Sequence, residues 1–175
     1  MESDRTLIAQ FRQGNQRSFD QLVLRHQARV REFMFRATGD RDETDDLAQE
    51  VFIKVYHHLD RFREESAFST WLYRVAVNVL NTHYRRQRLR SWLPLGEREE
   101  PATQSQSDEW KYQFRRLLAQ LPKLSSQERQ VVILRGLQEL SVADTANILG
   151  TSENVVKVAY HSARKKLKGL LQDVR

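Results

Sequence analysis

The sequence predicts an all-α protein built from two small helical domains joined by a flexible linker. Apolar residues recur at helical spacing along most of the chain. Only three prolines and six glycines interrupt its 175 residues. The composition changes between positions 91 and 107, where Pro94, Gly96, Pro101 and the run TQSQS favour a linker. The predicted boundaries are therefore a first domain at 1–90, a linker at 91–107 and a second domain at 108–175.

Four helices are predicted in the first domain. The first is capped by Ser3 or Asp4, and the dipeptide Gly14-Asn15 ends it. The second covers about 18–37, the third starts at Asp42 or Thr44, and the fourth runs from near Ser69 to about Arg88. One apolar stripe with a spacing of four marks the inward face of the third helix: Leu47, Val51, Val55 and Leu59.

The second domain contains the spacing of a helix-turn-helix. Pro122 ends its first predicted helix, Ser125 or Ser126 caps the next, and two shorter helices follow at about 141–149 and 152–169. Between these last two, small Ala146 allows a close helix crossing, Gly150 suits a turn with positive φ, and apolar Val156 locks the helices together. This order of residue types is typical of a motif that reads DNA.

The last of these helices is expected to present a polar, basic face. Val156, Tyr160, Ala163 and Leu167 are predicted to be inward. A major groove requires donors for base edges and phosphates, and small apolar groups for thymine methyls. The residues expected to supply this face, with the cap of the helix, are Ser152, Lys157, Val158, His161, Ser162, Arg164 and Lys165.

The charge distribution also favours a polyanion as partner. The net charge is +6 and the pI is about 9.8. Residues 66–96 and 154–172 contain no acid, whereas each of these segments carries five arginines or lysines. An acidic stretch lies between them. Two basic patches indicate two contact sites for one extended polyanion, although solvated helix faces would have the same composition.

Several classes of protein are disfavoured by composition. The chain has no cysteine, so disulfides and thiolate metal sites are excluded. No apolar run approaches the roughly 20 residues of a membrane span, and the first ten residues do not resemble a secretory signal. We expect a cytoplasmic protein with no cofactor.

Two rival classes remain open from the residues alone. A stand-alone regulator would use the same helix-turn-helix to bind duplex DNA. A recombinase or nuclease would need a nucleophile with clustered arginines, or convergent carboxylates for a metal. The acids at Asp42, Glu43, Asp45 and Asp46 sit where a helix begins, which the helix dipole explains, and the histidines lack metal-site spacing. We therefore predict neither catalytic residues nor a metal site.

The segment SAFSTWLYRVAVNVLNTHYRR, from Ser66 to Arg86, combines aromatic and cationic residues. Bases of single-stranded DNA stack on aromatic rings while arginines hold phosphates. For Phe68 and Trp71 taken alone, a place in the helical core is the favoured interpretation. Both interpretations are retained for these two residues.

At this point the chain resembles a known family. The segments DDLAQEVFIKVYHHLDRF (45–62) and SAFSTWLYRVAVN (66–78) are similar to the second conserved region of the bacterial extracytoplasmic-function sigma factors. The segment from Leu121 to Leu167, which begins LPKLSSQERQVV and ends HSARKKL, is similar to their fourth region. The two motifs occur in the family's order and cover nearly the whole chain except the linker.

The resemblance implies partners and roles. Core RNA polymerase would be bound through the clamp helices of its largest subunit and the flap of the second-largest subunit. The third helix would contact the clamp with Asp46, Gln49, Glu50 and Ile53, which lie away from the apolar stripe. Promoter DNA would be the other partner, and an anti-sigma factor would hold the protein inactive. The linker acids Glu97, Glu99 and Glu100 would lie near the polymerase active centre.

For the −10 promoter element, the resemblance implies capture of a flipped base by the loop before the fourth helix and by that helix's first turns. Flipping costs a few kcal/mol, so the protein must offer a compensating pocket. The residues implied are Phe62, Arg63, Ser66, Ala67, Phe68, Trp71, Arg74, Asn78, Arg85 and Arg86.

Two departures from the family's usual residues concern DNA recognition. Relatives often carry Arg-Ser-Arg early in the last helix, where this chain has Lys157, Val158 and Ala159. Fewer guanidinium groups for guanine imply a distinct −35 sequence. Glu64 and Glu65 stand where relatives often have glycine and aspartate, so the −10 loop is expected to have its own shape.

Overall fold

The structure is a computed structural model that describes the backbone of residues 2–92 and 109–172 and the side chains of residues 2–89 and 112–172. Within these ranges the regular structure is entirely helical, which confirms the predicted fold class. No helix in this part of the chain is long and apolar enough to cross a membrane. Most of the predicted linker lies outside the described residues, and its first two positions, 91 and 92, belong to the last turn of a helix.

Four α-helices form the first half of the protein. Their bounds are α1 (Asp4–Arg12), α2 (Gln16–Thr38), α3 (Arg41–His58) and α4 (Phe68–Trp92), with a 3₁₀ turn at Leu59–Arg61. Helix α3 starts earlier than predicted because the Asp40 side chain accepts hydrogen bonds from the backbone N–H groups of Asp42 and Glu43. Gly39 ends α2 with φ of 70°, a conformation that glycine adopts without steric cost.

The core of the first half lies between α2, α3 and α4. The predicted stripe of α3 is buried: Leu47, Val51, Val55 and Leu59 are each at most 6% exposed. Phe33 and Met34 of α2 and Val79 and Leu80 of α4 are fully buried around them. Residues that occupy successive turns of one helix face therefore form one continuous core.

Within its described residues, 109–172, the second half contains four further α-helices and two irregular turns. Their bounds are α5 (Glu109–Gln120), a 3₁₀ turn (Leu121–Lys123), α6 (Ser126–Val131) with a π-helical continuation (Val132–Leu137), α7 (Val142–Leu149) and α8 (Glu153–Gln172). Ser125 caps α6: its hydroxyl accepts from the Glu128 N–H, and the Glu128 carboxylate accepts from the Ser125 N–H.

The two halves pack against each other and share one apolar cluster. Leu118, Leu121 and Leu124 are buried in the same cluster as the core residues of α2 and α4. The approach is closest at Gly39, where a Cβ atom would lie only 2.7 Å from Leu118 Cδ1. The sequence analysis expected two domains on a tether and missed this shared core.

Polar contacts accompany the apolar packing between the halves. Arg36 donates to the Leu137 carbonyl at 3.2 Å, and Gln138 donates to the Phe33 carbonyl at 3.2 Å. The Arg129 guanidinium lies over the Tyr84 ring, 5.1 Å from its centroid. The Tyr84 hydroxyl donates to the Ala37 carbonyl, and burial raises the pKa of this phenol, so it stays protonated as a donor.

We predict that Tyr84→Phe lowers the free energy of unfolding by about 1 kcal/mol, because the buried Ala37 carbonyl loses its phenolic donor. Urea unfolding followed by circular dichroism measures the change. Tyr112→Phe is the matched control, since Tyr112 is 57% exposed and should leave stability unchanged. Equal stability of Tyr84→Phe and wild type would show that this hydrogen bond contributes nothing net.

Candidate nucleic-acid interface

The outward face of α3 carries the four residues that the sequence analysis assigned to a protein partner. Asp46, Gln49 and Ile53 are exposed, with Ile53 at 50%, and Glu50 is half-buried. Lys54 lies 3.5 Å from the Glu50 carboxylate. An apolar side chain beside acids, on the face opposite the buried stripe, is an available surface for a basic helical partner.

The loop before α4 rests on a cluster of three aromatic rings. Phe62, Phe68 and Trp71 have centroid separations of 5.2 to 5.9 Å. Phe62 and Phe68 are only 6% and 5% exposed, so their rings belong to the core and form the floor of the loop. The interpretation of Phe68 as core, left open from the sequence, is the one that the structure shows. Trp71 is half-buried.

The other loop residues surround this aromatic floor. Arg63 and Ala67 are exposed, and half-buried Ser66 makes a long hydrogen bond to the Ala67 carbonyl. Further along α4, Asn78, Arg85 and Arg86 are exposed. The face of α4 that carries them therefore offers one amide and two guanidinium groups to a ligand.

Arg74 is placed differently from the other α4 residues of this set. It is half-buried, its Nε donates to the Ile148 carbonyl at 2.9 Å, and an Nη donates to the Asn147 carbonyl at 2.7 Å. These carbonyls belong to the last turn of α7, where the helix dipole is negative. A guanidinium predicted to hold a DNA phosphate thus contacts the second half of the protein instead.

The helix-turn-helix has the geometry that its sequence predicted. Ser141 caps α7, and Gly150 adopts a φ of 64° in the turn. The Thr151 N–H donates to the Ala146 carbonyl at 3.0 Å, which closes the turn. Ala146 and Val156 are buried in the same small cluster at the crossing of α7 and α8.

The outward face of α8 is basic, with one exception to the prediction. Ser152, at the start of the helix, and five of the six residues predicted on its face are exposed: Lys157, Val158, His161, Arg164 and Lys165. Val158 is 61% exposed, which is available apolar surface for a base methyl group. Ser162 is half-buried, and its hydroxyl donates to Glu128 at 2.7 Å, so the prediction that it faces outward is wrong.

Glu128 is an anchor under α8 that the sequence analysis missed. Lys166 approaches its carboxylate at 2.7 Å, Ser162 donates to it, and it also accepts from the Ser125 N–H at 3.0 Å. Burial favours the neutral acid, but these donors outweigh burial and lower the pKa of Glu128 to about 2. The capping-box spacing from Ser125 is a local sequence signal; the contacts from α8 have none.

Two family models match the chain. Sigma-70 region 2 covers residues 22–90, and Sigma-70, region 4 covers residues 114–167. RNA polymerase sigma factor CnrH of Cupriavidus metallidurans is 32% identical over 97% of this chain and 95% of its own length. The ECF RNA polymerase sigma-E factor of Escherichia coli is 31% identical over 97% of this chain and 95% of its own.

The chain belongs to the extracytoplasmic-function RNA polymerase sigma factors. As a sigma factor it binds core RNA polymerase, recognises promoter DNA and initiates transcription. This membership decides between the sigma factor and the stand-alone regulator, which the residues alone left open. Sigma factors are initiation factors and not themselves catalysts.

Solved structures agree with the fold of this sigma factor. CnrH in complex with the cytosolic domain of CnrY aligns over 99% of this chain and 100% of CnrH, with a TM-score of 0.65 and 28% identity. The sigma factor RpoE of Bartonella quintana, in complex with the anti-sigma factor NepR, aligns over 90% of this chain and 98% of RpoE with a TM-score of 0.57. At 24% identity the second likeness concerns the fold alone.

The anchoring of α8 predicts a pH dependence. The Glu128 carboxyl has a pKa of about 2 in the folded protein and about 4.5 when unfolded. Between these values the unfolded chain binds more protons, so the stabilisation from this carboxylate is present above pH 4.5 and is lost as the pH falls toward 2.

We therefore expect Glu128→Gln to be less stable than wild type near pH 7, and the difference to shrink steadily below about pH 4.5. Urea unfolding at a series of pH values measures this slope. Glu139→Gln, which removes an exposed acid of the second half that lies outside any helix, is the control and should follow wild type. A constant difference between Glu128→Gln and wild type across the range would contradict the assignment.

Proposed function

We propose that this sigma factor contacts the polymerase clamp through the outward face of α3 and the −10 element through the loop at 62–67 and the exposed face of α4. The observation that supports this most is the exposure of Asn78, Arg85 and Arg86, which lie on α4 beyond its first ten residues. Arginines can hold the strand's phosphates while the Asn78 amide reads a base edge. The cluster of aromatic rings under the loop at 62–67 supports the loop from below.

We further propose that the exposed face of α8 reads the −35 element in the major groove. Lys157, His161 and Lys165 supply donors, and Val158 supplies apolar surface. A groove bordered by this face has apolar walls that include half-buried Leu117, Leu137 and Leu171. We assign this groove to a helix of the polymerase flap, because an apolar floor with a basic rim suits an amphipathic acidic helix.

On a promoter the two halves must separate. The names of the two elements place them about 25 base pairs apart, which is about 85 Å along B-DNA. A compact domain of this length has a radius of gyration of about 16 Å, so the packed halves do not reach both elements. Sixteen residues lie between Trp92 and Glu109. Fully extended they span about 55 Å, enough to let the halves part.

We also propose a cytoplasmic inhibitor protein, the anti-sigma factor implied by the resemblance. Its support is that CnrH, similar over nearly its whole length, was solved with the cytosolic domain of CnrY bound. A protein that binds the packed arrangement more tightly than the separated one shifts the equilibrium away from promoter binding. The linker acids Glu97, Glu99 and Glu100, placed near the polymerase active centre by the resemblance, lie outside the described residues.

Reconstituted transcription with sigma-free core polymerase and pooled genomic promoter fragments tests the assignment of surfaces. We expect Glu50→Arg to lose transcripts because it weakens core binding on the order of tenfold or more, by placing a cation against a basic partner. Asn78→Ala is expected to bind core normally but to lower strand opening, measured by permanganate reactivity of unpaired thymines.

Two exposed residues of α2 supply matched controls for these variants. Asp20→Arg makes the same charge change as Glu50→Arg, and Gln21→Ala removes an amide as Asn78→Ala does. Both should transcribe like wild type. Normal core binding by Glu50→Arg would contradict the α3 assignment, and normal opening by Asn78→Ala would contradict the α4 assignment.

A further inference from the structure

The loop between Phe62 and Phe68 contains a residue in an unfavourable backbone conformation. Glu64 has a φ of 57°, in the left-handed region of backbone conformation. Residues other than glycine, asparagine and aspartate rarely adopt this conformation. Such a conformation persists only where surrounding contacts determine it. The contacts at Glu64 therefore show what gives this loop its shape.

Two arginines of α1 make these contacts. Arg12 donates to one Glu64 carboxylate oxygen at 3.0 Å, and the Arg5 Nε lies 2.7 Å from the other. The second terminal nitrogen of Arg12 also donates to the Phe62 carbonyl and, at 3.4 Å, to the Leu59 carbonyl. One guanidinium thus binds the chain at the start of the loop and the side chain of its third residue.

Helix α1 is a firm support for this interaction. Leu7 and Ile8 are fully buried against the rest of the first half, and the Ser3 hydroxyl caps the helix. The Arg12 and Glu64 side chains are 31% and 27% exposed, so water screens their pairing only in part. Helix α1 also precedes residue 22, where the match to Sigma-70 region 2 begins.

We infer that Arg12, supported by Arg5, is a positioning residue that fixes the shape of the −10 loop through Glu64 and thereby sets which base the loop accepts. This inference rests on the proposed function of the loop. Exposed Arg63 and Ala67 flank the anchored segment, so the backbone direction at Glu64 determines where both groups point. A pocket held in one shape discriminates between bases more sharply than one that adapts to each.

The test uses full-length protein in the holoenzyme and a promoter recovered from the genomic pool. Each −10 position is replaced by the other three bases, and open-complex formation gives a base preference at every position. Glu64→Gln removes the charge that Arg5 and Arg12 bind, and Arg12→Ala removes the donor. Glu139→Gln is the matched control, because Glu139 is exposed and also has a φ of 57°, but lies outside the −10 loop.

We expect Glu64→Gln and Arg12→Ala to lower the base preference at one −10 position on the order of tenfold, less than the roughly hundredfold that a 1 Å misplacement of a reacting group can cost. Preferences at the other positions, and all preferences of Glu139→Gln, should remain as in wild type. Hydrogen–deuterium exchange of residues 62–67 in the free protein should rise in both anchor variants. Together these results would establish the positioning role, since a merely structural brace would not change one base preference selectively.

Other outcomes overturn the inference in distinguishable ways. Faster exchange with unchanged base preference, while Asn78→Ala still impairs opening, would reduce Arg12 to a structural brace and leave the proposed function intact. Unchanged exchange would show that the anchor does not hold the loop. If neither the anchor variants nor Asn78→Ala altered the −10 response, both the inference and the proposed role of this surface would be wrong.

Discussion

The packing of α4 on two sides is the interaction on which the rest of this structure depends. One side of the helix supplies core residues to the first half, where Val79 and Leu80 are fully buried. Another side carries the second half, with Tyr84 under Arg129 and Arg74 on the last turn of α7. The third side of α4, which carries Asn78, Arg85 and Arg86, is exposed to solvent. The same helix therefore determines the fold, joins the halves and contains the candidate DNA surface.

Arg74 connects these three roles. Its guanidinium satisfies carbonyls at the negative end of α7, which present partial negative charge and hydrogen-bond acceptors, as a phosphate does. A phosphate carries a full charge, so under the proposed function a DNA strand would compete for this group once the halves separate. The contact with α7 would then be an internal substitute for DNA. In the free protein this contact pairs the half-buried Arg74 guanidinium with two carbonyls.

The sequence was informative wherever the determining residues are close together in the chain. The helix-turn-helix depends on Ser141, Ala146, Gly150 and Val156, all within 16 positions, and the structure has it as predicted. The inward stripe of α3 was equally local. The shared core was missed because Leu118 and Leu121 continue an ordinary apolar stripe, and such a stripe does not indicate which surface it covers. For the same reason no local signal linked Arg12 with Glu64, 52 positions away.

The assignment of single residues was less successful on surfaces than the assignment of motifs. Phe62 and Phe68 were candidates for contact with a base, but burial places both rings in the floor of the loop. Ser162 was expected on the DNA-facing side of α8. Its hydroxyl instead donates a hydrogen bond to the buried Glu128 carboxylate. Helical spacing determines the direction in which a side chain leaves the helix. The neighbouring elements determine whether that direction leads to solvent or to the protein interior.

The most direct measurement is a cryo-electron microscopy structure of this sigma factor with core polymerase on an open promoter. The account predicts that the Arg74 guanidinium has left the Asn147 and Ile148 carbonyls and lies within hydrogen-bonding distance of a phosphate of the −10 strand. The two halves would then be apart and the exposed face of α8 in the −35 major groove. If Arg74 still bound the end of α7 in that complex, with the halves packed as in the free protein, the account would be contradicted.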